Sequence, residues 1–431
     1  MSADRRDRFL VLGLRRSGLA ACEAIRRVWP AAELIAVDDA TDVDVARLSA
    51  LGIEPRVGGA DVSTEELTAL IKSPGVSGDA PLVERARLAG VPVWSEVELA
   101  ARMLPNPIIG VTGTNGKTTT TELVGAMLRA GGLAVEVAGN VGRALSELPG
   151  LVADDAWVVC ELSSFQLEDI DALRCRVAVV LNVTPDHLDR HGTIERYLAG
   201  KLRILENQTA EDTAVLNGGD PLLRAADLPG RARRVWFDRS QSDRIDWEHA
   251  GIRGDHNLEN SIAAAAVADA VGVPRRARDR ALREFTPPPH RLQLVAERGG
   301  VRFVDDSKAT NPEAVIKALT AFERGVRLIL GGSLKGGSFG SLAAAVAVGP
   351  VVSVDVCGDA AAAIAPAMDA AGVRYRRHRH LADAVVAAAA DAEPGDTVLL
   401  SPACASFDEF RDYVHRGQAF AELAAEVPVG R

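Results

Sequence analysis

The chain has 431 residues, of which 47% are hydrophobic and 25% charged, and these proportions exclude an intrinsically disordered protein. Its 49 basic and 59 acidic side chains leave a net charge of −10, which disfavours nucleic acids as partners. Five cysteines without a C-x-x-C pair argue against a disulfide framework or a structural zinc site and favour a reducing compartment. The N-terminus lacks the pattern of a signal peptide and no apolar run has the length of a transmembrane helix, so we expect a cytoplasmic protein without membrane insertion.

Short apolar runs alternate with longer helical patterns along the whole chain. Strands that helices cover on both faces have this character, so the alternation predicts an α/β protein with mainly parallel sheets. In such sheets, ligand-binding groups gather just beyond the carboxyl ends of the strands. The clearest predicted strands cover residues 9–12, 34–37, 108–111, 158–161, 177–182, 301–304, 326–330, 351–356 and 398–400.

Two breaks in these patterns predict three domains, the number that the chain length also favours. A helical stretch ends at the proline-containing breaker at residues 105–107, which places one boundary within residues 95–107. Residues 287–289 are three consecutive prolines, a stiff extended segment that would separate rigid units. The predicted domains are residues 1–95, 96–287 and 288–431.

A glycine turn follows the first predicted strand. Gly13 and Gly18 frame the entry into a helix, and Asp38 follows at the spacing of a ribose-binding acid. Arg15 replaces the glycine that lets the backbone approach a pyrophosphate, which disfavours a dinucleotide. Two interpretations therefore stay open, a tight turn without a ligand and a looser nucleotide site that includes Gly13, Ser17 and Asp38.

The strand at residues 108–111 leads into a second glycine-rich turn that opens a helix. Such a turn presents backbone N–H groups to phosphates, and the helix dipole adds attraction. Lys117 would neutralise terminal phosphates, and the Thr118 hydroxyl would reach Mg²⁺. Val111 stands where the usual spacing has its first glycine, yet the segment as a whole predicts binding of a nucleoside triphosphate. The predicted loop residues are Gly113, Thr114, Asn115, Gly116, Lys117, Thr118 and Thr119.

Three residues beyond this loop have both a metal-related and a plain structural interpretation. Glu161 ends a predicted strand and is either a Mg²⁺ ligand or a helix-capping acid. His187 follows the strand at 177–182 and is either a ligand or a satisfied core histidine. Lys201 lies on a predicted helix, where an isolated lysine is usually a solvated surface charge, and its spacing alone assigns it no role.

Three strands of the predicted third domain end in polar turns, which contain Lys308, Lys335 and Ser406. Loop solubility alone would not place so many cations and hydroxyls at one sheet edge, so we favour an anionic ligand such as a carboxylate there. Cys404 lies in the last of these turns without a histidine close in sequence, which disfavours a thiol nucleophile.

Read together, these loops resemble the Mur ligase family, and in particular its glutamate-adding members. The ELSSFQLE, DSKATN and SPACASFDEF segments point to those members, and the matching motifs occur in the family's order along nearly the whole chain. Besides the phosphate loop, they are residues 139–142, 161–168, 182–190, 254–260, 290–291, 306–311 and 401–410.

The resemblance implies a Rossmann-like N-terminal domain that holds the UDP part of a substrate, a P-loop ATPase central domain and a Rossmann-like C-terminal domain that brings glutamate. The implied enzyme is an ATP-dependent amide ligase that adds D-glutamate to UDP-N-acetylmuramoyl-L-alanine through an acyl phosphate, in synthesis of the cytoplasmic peptidoglycan precursor. ATP, two Mg²⁺ ions and a Lys201 carbamylated by CO₂ are implied, and we expect a monomer. The residues themselves do not distinguish D- from L-glutamate.

Family roles transfer to individual residues as follows. Lys117 would stabilise the γ-phosphate, Thr118 and Glu161 would hold the first Mg²⁺, and His187 with Lys201 would belong to the second metal site. Asn140 and Ser163 would contact the muramoyl-alanine part. The implied adenine and ribose contacts are Asn257, Asn260, Arg291 and Asp306, and the implied glutamate site contains Lys335, Thr310, Ser406, Phe407 and Tyr413, with Lys308 nearby.

Three departures and three alternatives accompany this hypothesis. Arg15 replaces a small residue, Ala40 offers no side chain for uracil, and Ser333 stands where an acid often precedes Lys335. The alternatives are a family ligase for another amino acid or acceptor, a nucleotide-driven switch without ligase activity, and a dehydrogenase suggested by the first glycine turn.

Overall fold

The structure is a computed structural model that describes residues 7–41, 43–59, 62–252, 254–286, 289–334 and 338–430. These residues form three β-sheets with intervening helices, which confirms the α/β class. Among them, no helix combines the length and apolar character that crossing a membrane requires. The contacts define two compact units: the first contains the chain up to Val183, Glu195–Gly251 and Leu258–Phe285, and the second contains Thr184–Ile194, Ile252–Asn257 and the chain from Thr286.

The first sheet lies in the first unit and has the elements β1 (Arg8–Leu12), α1 (Arg16–Val28), β2 (Glu33–Asp38), α2 (Val45–Ala50), β3 (Arg56–Val57), β4 (Ala69–Lys72), α3 (Pro81–Leu88), β5 (Val93–Ser95) and α4 (Glu96–Met103). Its five parallel strands have the order β3-β2-β1-β4-β5. Alternate residues of β1 enter two separate cores, Phe9 and Val11 on one face and Leu10 and Leu12 on the other. The strand order reverses at β1, and in sheets of this kind ligands usually bind beyond the strand ends at such a reversal.

The second sheet also belongs to the first unit, and its six strands are all parallel in the order β11-β10-β9-β6-β8-β7. The strands are β6 (Ile108–Thr112), β7 (Val135–Gly139), β8 (Trp157–Glu161), β9 (Cys175–Val180), β10 (Thr213–Asn217) and β11 (Arg233–Phe237). Strand β6 is central, so the turn that follows it emerges from the middle of the sheet. Strand β9 ends two residues before the predicted position 182, because Asn182 instead hydrogen-bonds that turn.

The helices in this part of the chain are α5 (Lys117–Ala130), α6 (Ser164–Leu167), α7 (Leu188–His191), α8 (Ile194–Leu202), α9 (Pro221–Ala225), α10 (Asp255–Ala270) and α11 (Arg275–Glu284). Short 3-10 helices cover Leu145–Glu147, Arg203–Leu205 and Arg239–Arg244. The alanine-rich centre of α10 is completely buried, as expected of small side chains that allow close packing.

The third sheet lies in the second unit. Its six strands, numbered in chain order, lie side by side in the order β12-β13-β17-β14-β15-β16. Its elements are β12 (Gln293–Arg298), β13 (Val301–Asp305), α12 (Pro312–Leu319), β14 (Val326–Gly331), α13 (Gly340–Val348), β15 (Val351–Cys357), α14 (Ala361–Ala370), β16 (Arg376–Arg377), α15 (Leu381–Ala390), β17 (Thr397–Ala403) and α16 (Tyr413–Glu426). Strand β12 pairs antiparallel with β13, since a tight turn joins them, and the other strand pairs of this sheet are parallel.

Helix α4 fastens the first sheet to the second. Leu99 packs in the core of the first sheet, whereas Glu98, on the same helix, accepts hydrogen bonds of 2.8 to 3.0 Å from the N–H groups of residues 171–173. Lys72 and Asp169 add a buried ion pair of 2.9 Å. Hydrogen bonds from three N–H groups to one buried carboxylate are strong and fix its orientation, so these contacts hold the two sheets against each other.

Candidate active site

The phosphate loop between β6 and α5 depends on two glycines. Gly113 has a φ of 157° and Gly116 a φ of 85°. A Cβ on Gly116 would lie 2.2 Å from Oδ1 of Asn260, and a Cβ on Gly113 would lie 2.9 Å from Cβ of Leu181. The loop backbone therefore passes where side chains would collide, and it enters the first turn of α5, whose N–H groups attract anions.

Asn182 holds this loop against the end of β9. Its carbonyl accepts the Thr114 N–H at 2.9 Å, its Oδ1 accepts the Asn115 N–H at 2.9 Å, and its Nδ2 donates to the Asn115 carbonyl at 3.1 Å. Asn182 has no role that local sequence predicts, because its partners are nearly seventy residues away. The one feature of the sequence that could have indicated a role for Asn182 is its position, as a polar residue shortly after a buried strand.

Two lysines converge on one carbonyl of the loop. The Nζ atoms of Lys117 and Lys201 each donate to the Gly113 carbonyl at 2.8 Å, and Lys117 also donates to the Thr114 carbonyl at 2.8 Å. Lys201 is 1% exposed, and its Nζ lies 4.3 Å from the ring centre of Tyr197. The interpretation of Lys201 as a solvated surface charge is therefore wrong, because α8 turns this side chain beneath the loop.

Glu161 ends β8 beside the start of the phosphate loop, since it pairs in register with Val111 of β6. Its side chain is 3% exposed, and its Oε1 accepts a 3.1 Å hydrogen bond from Nδ2 of Asn140. Burial raises the pKa of Glu122 on α5; Arg129 opposes this, and the charge of Glu161 raises the pKa further. The region is thus acidic next to a loop that attracts anions, a combination that suits a divalent cation between carboxylate and phosphate.

This donor set fits Mg²⁺ bound partly by a nucleotide. Across the described ranges, no group of three or more His, Cys, Asp or Glu side chains could hold a metal ion by itself. Mg²⁺ usually binds through one or two carboxylates together with substrate phosphates rather than in a cage of protein ligands. Thr118 lies in the first turn of α5 and Glu161 on the adjacent strand, so a hydroxyl and a carboxylate follow neighbouring strand ends.

Ser163, a predicted contact of the acceptor substrate, caps the short helix α6. Its Oγ accepts the Gln166 N–H at 3.3 Å, and the Gln166 side chain accepts the Ser163 N–H at 3.0 Å. The Ser163 side chain thus has a structural role as the N-cap of α6, and this role alone accounts for a serine at this position.

The glycine turn after β1 is tightly packed, and the side chains of Ser73 and Asp38 hydrogen-bond its backbone. Gly13 has a φ of 87°, its carbonyl accepts the Ser73 hydroxyl at 2.7 Å, and a Cβ on Gly18 would lie 1.8 Å from that carbonyl. Asp38 accepts the Leu14 N–H at 2.5 Å and the Ala40 N–H at 2.9 Å. Ser17 is partly buried in the first turn of α1, and Arg15 is exposed.

The second unit contains His187, whose backbone has the uncommon φ of 54°. The ring Nε2 lies 3.7 Å from Oδ2 of Asp186, and the imidazole is 28% exposed, which distinguishes it from a buried core histidine. Asp186 in turn accepts a 2.9 Å hydrogen bond from Nδ2 of Asn311, which caps α12. Asn257 is partly buried near the start of α10 and donates its N–H to the Gly254 carbonyl at 2.9 Å.

Asp306 follows β13 as a buried acid. Its Oδ2 accepts the Ser401 hydroxyl at 2.6 Å, and its Oδ1 accepts the Leu292 N–H at 3.3 Å. Burial raises the pKa of Asp306 to about 7, although the Ser401 hydrogen bond and the charge of Arg291 oppose that rise. A carboxyl near its midpoint at neutral pH can either accept or donate a hydrogen bond to a ligand hydroxyl.

Among the predicted glutamate contacts, those that the structure describes follow β13 and β17 or begin α16. Nζ of Lys308 lies 3.9 Å from the ring centre of Tyr413, and Thr310 donates its N–H to the Lys308 carbonyl at 2.9 Å. Ser406 is 2% exposed, whereas Phe407 is 73% exposed and donates its N–H to the Ser333 hydroxyl at 3.0 Å. Lys335 lies outside the described residues, as do the first two of the three prolines at 287–289.

Residues 111–268 match the Mur ligase middle domain, and residues 290–404 match the Mur ligase glutamate ligase domain. A relative named UDP-N-acetylmuramoylalanine--D-glutamate ligase, from Desulfitobacterium hafniense (strain DSM 10664 / DCB-2), is 41% identical over 445 residues and 97% of both chains.

Two solved structures share the fold. UDP-N-acetylmuramate-alanine ligase from Thermotoga maritima has a TM-score of 0.60 and 21% identity over 96% of this chain and 98% of its own. MurF ligase from the same organism, in complex with ADP, has a TM-score of 0.60 and 18% identity over 98% of this chain and 95% of its own. The full-length similarity in sequence, with both domain matches and the shared fold, means that this chain belongs to the Mur ligase family.

Proposed function

We propose that this protein joins D-glutamate to the alanine carboxylate of UDP-N-acetylmuramoyl-L-alanine and converts ATP to ADP and phosphate, a step of peptidoglycan precursor synthesis. The full-length relative at 41% identity bears the name of this activity. The observation that carries the proposal is the convergence of Lys117 and Lys201 on the Gly113 carbonyl, with Glu161 at the end of a neighbouring strand. Phosphoryl transfer needs a cation and a carboxylate-bound metal around one point; Lys117 would supply the cation and Glu161 a carboxylate for the metal.

The reaction would proceed in two steps, phosphoryl transfer and then amide formation. A carboxylate oxygen of the alanine attacks the γ-phosphorus of ATP, so that an acyl phosphate forms and ADP leaves. The glutamate amine then attacks the acyl carbon, loses a proton, and expels phosphate from a tetrahedral intermediate. Lys117 would neutralise the transferred phosphoryl group, while the backbone of residues 113–119 would hold the phosphates in line.

Thr118 and Glu161 would hold one Mg²⁺, and His187 and Lys201 would belong to a second metal site. When bound, Mg²⁺ would act as a Lewis acid that neutralises charge on the phosphates. Lys201 is the residue that would be carbamylated, and its amine lies buried against the phosphate loop, 1% exposed. A carbamate formed with CO₂ would present carboxylate-like oxygens, which Mg²⁺ prefers over nitrogen.

The remaining predicted residues would bind the three substrates. The proposed domains comprise residues 1–95, 96–287 and 288–431. The UDP contacts would be Gly13, Ser17 and Asp38. The muramoyl-alanine contacts would be Asn140 and Ser163, and the adenine and ribose contacts would be Asn257, Asn260, Arg291 and Asp306. The glutamate contacts would be Lys308, Thr310, Lys335, Ser406, Phe407 and Tyr413.

The proposed location is the cytoplasm, and the proposed state is a monomer that acts on small molecules. All five cysteines are free and buried in the described structure, which agrees with a reducing compartment. Burial raises the pKa of the Cys22, Cys175 and Cys357 thiols to about 12, so these thiols stay protonated and unreactive at neutral pH.

Phosphate release from ATP tests the proposal when each component is omitted in turn and D-glutamate and L-glutamate are offered separately. We expect release only with UDP-N-acetylmuramoyl-L-alanine and D-glutamate together. Release with L-glutamate alone would keep the mechanism and reverse the stereochemistry. Release that no amino acid changes would contradict the ligase and favour a nucleotide-driven switch.

A further inference from the structure

Arg416 is a buried arginine at the edge of the third sheet that the sequence analysis did not select. It is 3% exposed and lies on α16 in line with Phe420 and Ala424, which are also buried. An arginine on the buried face of an amphipathic helix requires partners for its five N–H donors. Burial lowers its pKa to about 10, so the guanidinium is still charged at neutral pH.

The guanidinium reaches the ends of three strands at once. Nε donates to the Ser307 hydroxyl and one Nη to the Ser307 carbonyl, both at 2.9 Å, just after β13. The Nη atoms also donate to the carbonyls of Ala405 at 2.9 Å and Cys404 at 3.0 Å, just after β17, with a longer 3.5 Å contact to Gly331 at the end of β14. These partners are neutral oxygens, so none of them cancels the positive charge.

The turns after β13 and β17 each carry a residue assigned to glutamate. Ser307 precedes Lys308, and Ala405 precedes Ser406. The Ser307 hydroxyl also donates to the Tyr413 carbonyl at 2.8 Å, which joins the start of α16 to the same network. Ala405 and Ser333 exchange backbone hydrogen bonds of 2.9 and 3.1 Å, so the turn after β14 is tied in as well.

We propose that Arg416 is a positioning residue for the amino acid substrate, because its guanidinium holds the turns after β13 and β17 in the arrangement that receives the glutamate carboxylates. This inference rests on the proposed ligase function. Arginine suits the task because its planar fork reaches several carbonyls simultaneously, whereas the single ammonium of a lysine cannot. Arg416 touches no reacting atom in this account.

The test compares Arg416→Lys with Arg278→Lys in the full chain. Arg278 is a second buried arginine, 6% exposed, which contacts Ala265 and Asp269 within the first unit. We expect Arg416→Lys to raise the KM for D-glutamate about 10- to 100-fold while the KM for ATP changes less than about 2-fold. Arg278→Lys should lower the thermal midpoint without moving the KM for glutamate relative to that for ATP.

Ser307→Ala gives an independent test if Arg416→Lys does not fold. Loss of this hydroxyl removes the acceptor of Nε, and we expect a smaller rise in the KM for glutamate, about 3- to 10-fold, again with little change for ATP. Equal changes in both KM values, or a glutamate effect of the same size in Arg278→Lys, would overturn the inference. If the unmodified protein releases phosphate without needing an amino acid, the proposed function fails, and that result is separate from either outcome for Arg416.

Discussion

Two regions of this protein each bury a cation beside backbone carbonyls, but they do so in different ways. At the phosphate loop, Lys201 donates to the Gly113 carbonyl and lies over the ring of Tyr197. At the edge of the third sheet, Arg416 divides its donors among oxygens of Ser307, Cys404 and Ala405. The guanidinium of Arg416 connects two separate turns of the backbone, whereas Lys201 places a single amine against the predicted phosphate loop. Under the proposals above, burial would support a scaffold in one region and a chemical group in the other.

Lys117→Ala should produce the largest loss, because it removes the cation that would meet the developing charge on the phosphoryl group. We expect kcat/KM to fall about 10²- to 10³-fold with the fold intact. Steady-state phosphate release measures the effect, and circular dichroism checks the fold. Lys317→Ala, on α12 and outside the proposed site, is the matched control and should leave the rate unchanged.

Removal of CO₂ should reveal whether Lys201 is a chemical group or a second scaffold cation. A carbamate dissociates when CO₂ is depleted, so we expect activity to fall at least about tenfold and to return with bicarbonate. With ¹³C-labelled bicarbonate, a carbamate carbon signal should appear by NMR, persist in Lys117→Ala and be absent in Lys201→Gln. Full activity without CO₂, or a high-resolution map with a bare ammonium under saturating bicarbonate, would assign Lys201 a scaffold role like that of Arg416.

The buried acid of the third sheet should make stability depend on pH. Because the pKa of Asp306 is raised to about 7, its carboxyl stays neutral in the folded chain where the unfolded chain ionises. The stability from this group is fully present below about pH 4 and is lost as the pH rises through about 7. The free energy of unfolding of Asp306→Asn, compared with that of the parent, should therefore rise by roughly 2 kcal/mol when the pH is raised from 5 to 8. Denaturant unfolding at the two pH values measures this difference. A difference that does not change with pH would contradict the raised pKa.

A small effect should follow from the cap of the helix that carries Arg416. Asp412 accepts the His415 N–H at 2.8 Å, so Asp412→Ala should cost about 1 kcal/mol of unfolding free energy. Because the start of α16 also positions Tyr413, we expect a modest rise in the KM for glutamate. Asp44→Ala removes a similar cap, at 3.0 Å from the Arg47 N–H in the first sheet, and should cost similar stability without that rise.

The sequence predicts the elements of this fold well wherever the signal is local. The runs at 9–12, 108–111 and 301–304 fall inside β1, β6 and β13, because strands buried on both faces have continuous apolar composition. The antiparallel pairing of β12 carries no such local signal. The early end of β9 at Val180 depends on Asn182 contacting a loop far away in sequence.

The candidate site divides in the same manner. Glycines at 113 and 116 are visible in the sequence because only a backbone without a side chain fits there. The burial of Lys201 is not visible, since it depends on how α8 packs beneath the phosphate loop rather than on neighbouring residues. Arg416 is hidden for the same reason, although its spacing from Phe420 places it on the buried face of α16.

The fate of the alanine carboxylate oxygen tests the central claim most directly. UDP-N-acetylmuramoyl-L-alanine labelled with ¹⁸O in that carboxylate would be incubated with ATP and D-glutamate, and the released phosphate analysed by mass spectrometry. If the carboxylate attacks the γ-phosphorus and phosphate then leaves from the acyl carbon, each phosphate carries one ¹⁸O atom. Phosphate without ¹⁸O, released during amide formation, would contradict an acyl phosphate and the roles assigned to Lys117 and the phosphate loop.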